Sequence, residues 1–160
     1  MFIMNNSQDN RFSTASAVML LLTRNNGTEV LLQKRVNTGY MDGMWDCGAS
    51  GHVDAGESMK SALIREAKEE INIDININDV NFATIAHKYT NGSGLIYYNG
   101  YFIVENYKGI PKINEPNKCS EIKWVQINGL PENTIPDRKE AVKNFLLGIP
   151  YHEFGWIDHK

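Results

Sequence analysis

The chain has 160 residues, 42% of them apolar and 22% charged, with a formal net charge of −3. That length fits one domain spanning residues 1–160 with a substantial core. No basic tract stands in it and no apolar run nears the length of a membrane span, which argues against an extended nucleic acid or a bilayer as partner.

The start, MFIMNNSQDNRF, turns polar too soon for the apolar part of a secretory signal, and residues 1 to about 12 read as a frayed lead-in. Cys47 and Cys119 lie far apart without metal-ligand spacing. A soluble cytoplasmic protein with reduced, buried thiols is expected, Cys47 being the more accessible of the two. Residues 13–23, STASAVMLLLT, suit a strand buried on both faces, although Ala and Leu would also permit a helix. Asn26-Gly27 signals a two-residue hairpin turn, and residues 29–34, EVLLQK, form the returning strand. In the loop 37–45, NTGYMDGMW, the large side chains either plug the end of a sheet or, through Tyr40, Met44 or Trp45, line a pocket for a flat ring.

Residues 51–73, GHVDAGESMKSALIREAKEEINI, carry the strongest pattern. Ser58 is a suitable N-cap, no Gly or Pro interrupts residues 59–71, and Asn72 can close the helix in a left-handed conformation. At about 100° per residue, Glu66, Glu69 and Glu70 share an arc of roughly 100°, beside an oily arc of Leu63, Ile64, Ala67 and Ile71. Like charges at that spacing, placed where the helix dipole is already negative, oppose the helix. The stripe is either a solvated acidic face balanced by Arg65 and Lys68, or, with Glu57 across a Gly-containing turn, a site for a hard divalent cation.

Beyond it, residues 74–81 continue the alternation IDININ that starts at Ile73 and lead into a strand through NFATIAHKYT, in which His87 reads as a structural histidine. Residues 95–105, LIYYNGYFIVE, are a strand with Gly100 as a candidate bulge. A polar loop, 108–118, holds Glu115. Residues 120–127 alternate as a strand with Ile122, Trp124 and Gln126 on one face, and Pro136-Asp137 precedes a helix over 138–147. The tail, 150–160, has aromatics but no readable period. Strands on either side of one helix, with a second helix near the end, indicate an α/β sandwich with a mixed sheet between helices.

The segment 51–73 resembles the Nudix box: Gly, five residues, Glu, seven residues, Arg-Glu, a small or aliphatic residue, any residue, Glu-Glu, any residue, Gly, then an aliphatic residue. Gly51, Glu57, Arg65, Glu66, Ala67, Glu69, Glu70 and Ile73 take these places, and Asn72 stands where Gly is usual. The hairpin before the box, the Trp just upstream and the E-x-x-W strand followed by Leu-Pro agree with the family. The resemblance implies the Nudix-type α/β/α sandwich with a mixed β-sheet. It also implies Mg²⁺ (or Mn²⁺) held by Gly51, Glu57, Glu66, Glu69 and Glu70, with Arg65 orienting a carboxylate. The general base would be Glu69 or Glu66, or else Glu115 in its loop.

The activity so implied is cleavage of a phosphoanhydride in a nucleoside triphosphate, giving a nucleoside monophosphate and pyrophosphate. The alternative is a nucleoside diphosphate linked to a sugar or second nucleotide. Less favoured are an isopentenyl diphosphate isomerase-like reaction, with Cys47 as its only nearby cysteine, and a non-catalytic nucleotide sensor. By likeness to small nucleotide-sanitising members, Asp137 falls opposite a base-reading acid, unless it caps the last helix. Tyr40, Trp45 and Trp124 are the candidate ring-stacking residues, and a homodimer is in keeping with the family.

Overall fold

The computed structural model describes residues 10–156, so most of the expected lead-in, residues 1–9, lies outside the described residues. Strand β1 (Ala15–Arg24) is the hub. Its side chains alternate between two cores: Val18, Leu20 and Leu22 face one, Ala17, Met19 and Leu21 the other. A strand buried on both faces needs apolar residues at every position, which is why the run is continuous.

β1 pairs antiparallel with β4 (Ala49–His52) and in parallel with β6 (Leu95–Val104), and meets β2 (Glu29–Arg35) only at Thr23–Val30 and Arg24–Glu29. β6 pairs with β5 (Asn81–Thr90), which takes β8 (Tyr151–Phe154) in parallel. β2 carries β3 (Trp45–Cys47) and β7 (Cys119–Gln126), both antiparallel. Helix α1 (Met59–Ile71) buries Ala62, Leu63, Ala67 and Ile71 in the first core, and α2 (Pro136–Leu146) buries Ala141 and Val142 in the second. The mixed eight-stranded sheet is thus layered between two helices, the α/β/α sandwich expected.

Several local expectations are corrected. The first hairpin closes over four residues, because Asn25 joins Asn26 and Gly27 in the left-handed region and the register pairs Arg24 with Glu29. β3 and β4 are too short to show a period, and Gly48 separates them, its N–H turned to the Leu20 carbonyl at 3.1 Å. Gly100 is no bulge: it pairs regularly with Val18 and Ile85, and the register shift lies between Phe82 and Thr84. A Cβ at Gly100 would stand 2.7 Å from Met59 Sδ, so the residue permits close approach of α1. The IDININ stretch is not strand. Asn76 accepts a hydrogen bond from the Asn78 N–H at 2.9 Å and starts a 3-10 turn over Ile77–Asp79. β8 was unreadable because four residues at a sheet edge carry too little pattern. Both cysteines are buried, Cys47 the more deeply, so its expected accessibility is wrong.

Asn72 ends α1 at φ 55°, ψ 42°, its N–H donating to the Lys68 carbonyl at 3.2 Å. Replacing it tests that cap. Asn72→Gly should leave stability unchanged or slightly raised, whereas Asn72→Val should lose about 1–2 kcal/mol in urea unfolding, since a β-branched residue resists the left-handed region.

Candidate active site

Helix α1 begins at Ser58, whose hydroxyl accepts the Ser61 N–H at 3.1 Å. Its oily face is pinned to β1 and β4, which leaves the adjoining acidic stripe along a cavity of about 760 Å³. Glu66, Glu69 and Glu70 line that cavity with Gly51, and Glu115 lines it from the loop before β7.

Arg65 organises the carboxylates. It donates to both oxygens of Glu57 at 2.9 and 2.8 Å, to Glu66 at 2.7 Å, to Glu69 at 3.4 Å and to the His52 carbonyl at 3.2 Å. Glu57 also accepts the Asp54 N–H at 2.9 Å. These bonds, Arg65 first, hold the Glu57 carboxyl down at about 2. Glu57 does not line the cavity; it meets Arg65 and the Asp54 N–H, so in this arrangement it positions Arg65 and through it Glu66 and Glu69. A Cβ on Gly51 would overlap the Glu66 side chain as it stands, so a larger residue there would displace that carboxylate.

Two of the cavity carboxyls are uneasy as anions. Burial pushes Glu66 upward despite Arg65, and the charges of Glu69 and Glu115 act in the same direction. Burial raises Glu70 to about 8; Glu66 and Asp46 add to it, while the Ser50 N–H at 2.8 Å and Gln33 oppose it.

A second polar assembly runs behind the cavity. Ser50 Oγ donates to Asp46 at 3.3 Å; Asp46 accepts from Arg35 and Arg138, each at 2.8 Å. Arg138 donates to Asp137 at 2.6 Å, and Lys88 Nζ donates to Asp137 at 3.2 Å and to the Tyr40 hydroxyl at 2.9 Å. Burial pushes the Asp46 carboxyl up, but Arg138 and then Arg35 more than offset it.

Tyr40 lines the cavity, on a loop shaped by Asp42 accepting the Thr38 and Gly39 N–H groups and by Arg35 donating to the Tyr40 carbonyl at 2.8 Å. Trp45 does not. It is buried in the α2-side core with Lys123 over its ring at 4.3 Å. Asp137 is neither a helix cap nor part of the cavity wall; Ile135 takes the cap position, and Asp137 meets the cavity through Lys88 and Arg138, which line it. Trp124 packs on the α1-side core under Arg24, and His87 stacks on Tyr98 at 4.5 Å, away from the cavity.

The sequence profile of the NUDIX domain matches residues 13–145. The chain belongs to the Nudix hydrolase family. The fold is also that of solved Nudix proteins. A MutT NUDIX hydrolase from Burkholderia pseudomallei is 20% identical, with a TM-score of 0.73 over 82% of this chain and 98% of that one. A NUDIX hydrolase from Nitrosomonas europaea is 17% identical, with a TM-score of 0.71 over 87% and 93%. A MutT protein from Methanosarcina mazei Go1 is 20% identical, with a TM-score of 0.69 over 84% and 94%. No curated protein matches the chain. Among the described residues no helix is long and apolar enough to cross a membrane.

Nudix hydrolases generally use a divalent metal and act on small molecules. The donor set here fits such an ion in kind, being all carboxylate oxygen and backbone. As the side chains stand, no three acidic, His or Cys groups among the described residues are close enough to hold one. Arg65 has drawn Glu66 and Glu69 to itself, and Ser50 holds Glu70.

Reading the Nudix box alone misses Ser50, Asp46, Lys88, Asn99 and Arg138. One signal was available: Lys88 and Asn99 interrupt the apolar, period-two face of strands whose neighbours Ala86 and Tyr101 are buried.

Glu70 titrates near 8 in the fold against 4.5 when free, so its proton is bound more tightly in the folded state. The stability this contributes is full below about pH 4.5 and vanishes as pH rises through about 8. With EDTA present, Glu70→Gln should therefore raise Tm relative to wild type at about pH 9, and much less at about pH 5. Equal shifts at the two values would contradict the assignment.

Proposed function

We propose that this Nudix protein is a Mg²⁺-dependent hydrolase that splits a nucleoside triphosphate into a nucleoside monophosphate and pyrophosphate. The observation that supports it is the meeting of Glu66, Glu69, Glu70 and Glu115 on one cavity large enough for a nucleotide. Glu66, Glu70 and the Gly51 backbone would hold the ion, which when bound would neutralise phosphate charge and acidify a water.

Glu69, the most exposed of the three box carboxylates, is the assigned proton acceptor; Glu66 and Glu115 rank behind it. The water oxygen bonds to phosphorus, the bridging P–O bond breaks with its electron pair leaving on pyrophosphate, and the water proton passes to the carboxylate. Arg65 keeps Glu66 and Glu69 in place without touching substrate. Tyr40 offers its ring to the nucleoside.

The isomerase-like alternative is weakened, since Cys47 is buried outside the cavity wall and burial pushes its thiol far up. A diphosphate linked to a second group is favoured over it by the length of polar wall beyond Ser50, from Arg35 to Lys88.

A panel of nucleoside triphosphates and diphosphate-linked compounds with Mg²⁺ tests the reading. Pyrophosphate should appear from at least one triphosphate, and Glu69→Gln should slow turnover by at least about 100-fold. No product from any compound would overturn it.

A further inference from the structure

The cavity wall beyond Ser50 is cationic. Arg35, Lys88 and Arg138 line it, while their counter-ions Asp46 and Asp137 are buried behind and do not. Arg35 and Arg138 share Asp46, Arg138 and Lys88 share Asp137, and Asp42 faces Arg35 from its loop, so Lys88 has only a share of one carboxylate. The Lys88 side chain is 11% exposed and that of Arg138 6%, so solvent does little to disperse their charge.

Asn99 stands beside Lys88. The antiparallel register pairs Lys88 with Tyr97 and Ala86 with Asn99, which makes Lys88 and Asn99 diagonal neighbours on one face, about 7–8 Å apart at the backbone. Asn99 is 3% exposed and lines the cavity, and its side-chain amide makes no hydrogen bond among the described residues. The amide is open to the cavity, where a bound anion can accept its N–H groups. Lys88 lies at the far end of the hydrogen-bonded series Glu70, Ser50, Asp46, Arg138, Asp137, Lys88. Across the sheet, β5 stands three strand spacings, about 14 Å, from β4, where Ser50 and Gly51 adjoin Glu70 and Glu66.

We propose that Lys88, with Asn99 beside it and Arg35 and Arg138 behind, forms an anion subsite. It takes a phosphate or carboxylate carried on the part of the substrate remote from the anhydride. Among phosphoanhydride substrates, nucleoside triphosphates included, one that carries a second negatively charged group at its far end is then bound more tightly than one whose far end is neutral. Its catalytic meaning rests on the hydrolase reading above, but the binding does not. The Nζ of Lys88 has a donor to spare after Tyr40 and Asp137, and the Asn99 amide supplies N–H groups to the same anion.

Inorganic phosphate is the probe, titrated calorimetrically with EDTA present so that no metal recruits it to the acidic wall. Wild type should bind it saturably at one site. Lys88→Met and Asn99→Asp should each weaken binding by at least about tenfold, as expected for losing a charge-assisted bond or adding a repelling charge. Lys108→Met, at an exposed lysine beside a different hollow, should bind as wild type does. If Lys88→Met does not fold, Asn99→Asp carries the same test. No binding by wild type, or undiminished binding by the Lys88 and Asn99 variants, would overturn the proposal. Phosphate binding without hydrolysis of any compound in the panel would count against the enzyme reading alone. Hydrolysis without phosphate binding would count against the subsite alone.

Discussion

The Arg65 guanidinium spans Glu57, Glu66, Glu69 and the His52 carbonyl, and the geometry of the acidic stripe depends on it. Without a cation among them, carboxylates at i, i+3 and i+4 on the last turns of α1 would repel each other by a few tenths of a kcal/mol each and oppose the helix dipole. Arg65 offsets part of that. It also ties the loop from His52 to Glu57 onto the helix, so that loop, helix and acidic stripe keep one geometry. Arg65 does not reach Glu70, whose carboxyl burial pushes up to about 8.

The buried ion assembly of Asp46, Arg138, Asp137, Lys88 and Arg35 plays a different part. It joins β3, α2, β5 and β2 around the cavity, with Ser50 linking it to Glu70. Buried pairs of this kind add little net stability, because desolvation offsets much of their attraction. Their effect is directional. Arg138 is fixed between two carboxylates, and Lys88 is held with its ammonium at the cavity wall.

The box helix was legible to the residue, from Ser58 to Asn72, because capping, periodicity and the absence of breakers all agree there. The double-sided burial of β1 and the layering of the sheet were also legible, the unbroken apolar run suiting a buried strand even though its Ala and Leu content left a helix open. Short elements were not: β3, β4 and β8 hold three or four residues each, below what a period of two can declare. Misplaced expectations share a cause. Trp45 and Asp137 were judged by residue type, yet a Trp beside two lysines serves the core, and an acid at a helix start can be claimed by cations from distant strands. Glu57 stands in the right place in sequence, and in this arrangement it meets Arg65 and the Asp54 N–H. The Lys88–Asn99 wall arises from strand register, which no local pattern encodes.

The central claim is that the cavity carboxylates are gathered for a divalent cation. Titration of Mn²⁺ into the protein, followed by the electron paramagnetic resonance of the free ion, tests it most directly. The predicted result is saturable loss of the free signal with wild type, abolished in the Glu66→Gln/Glu70→Gln double variant while that variant remains folded. An undiminished free signal in the presence of excess wild-type protein would contradict it.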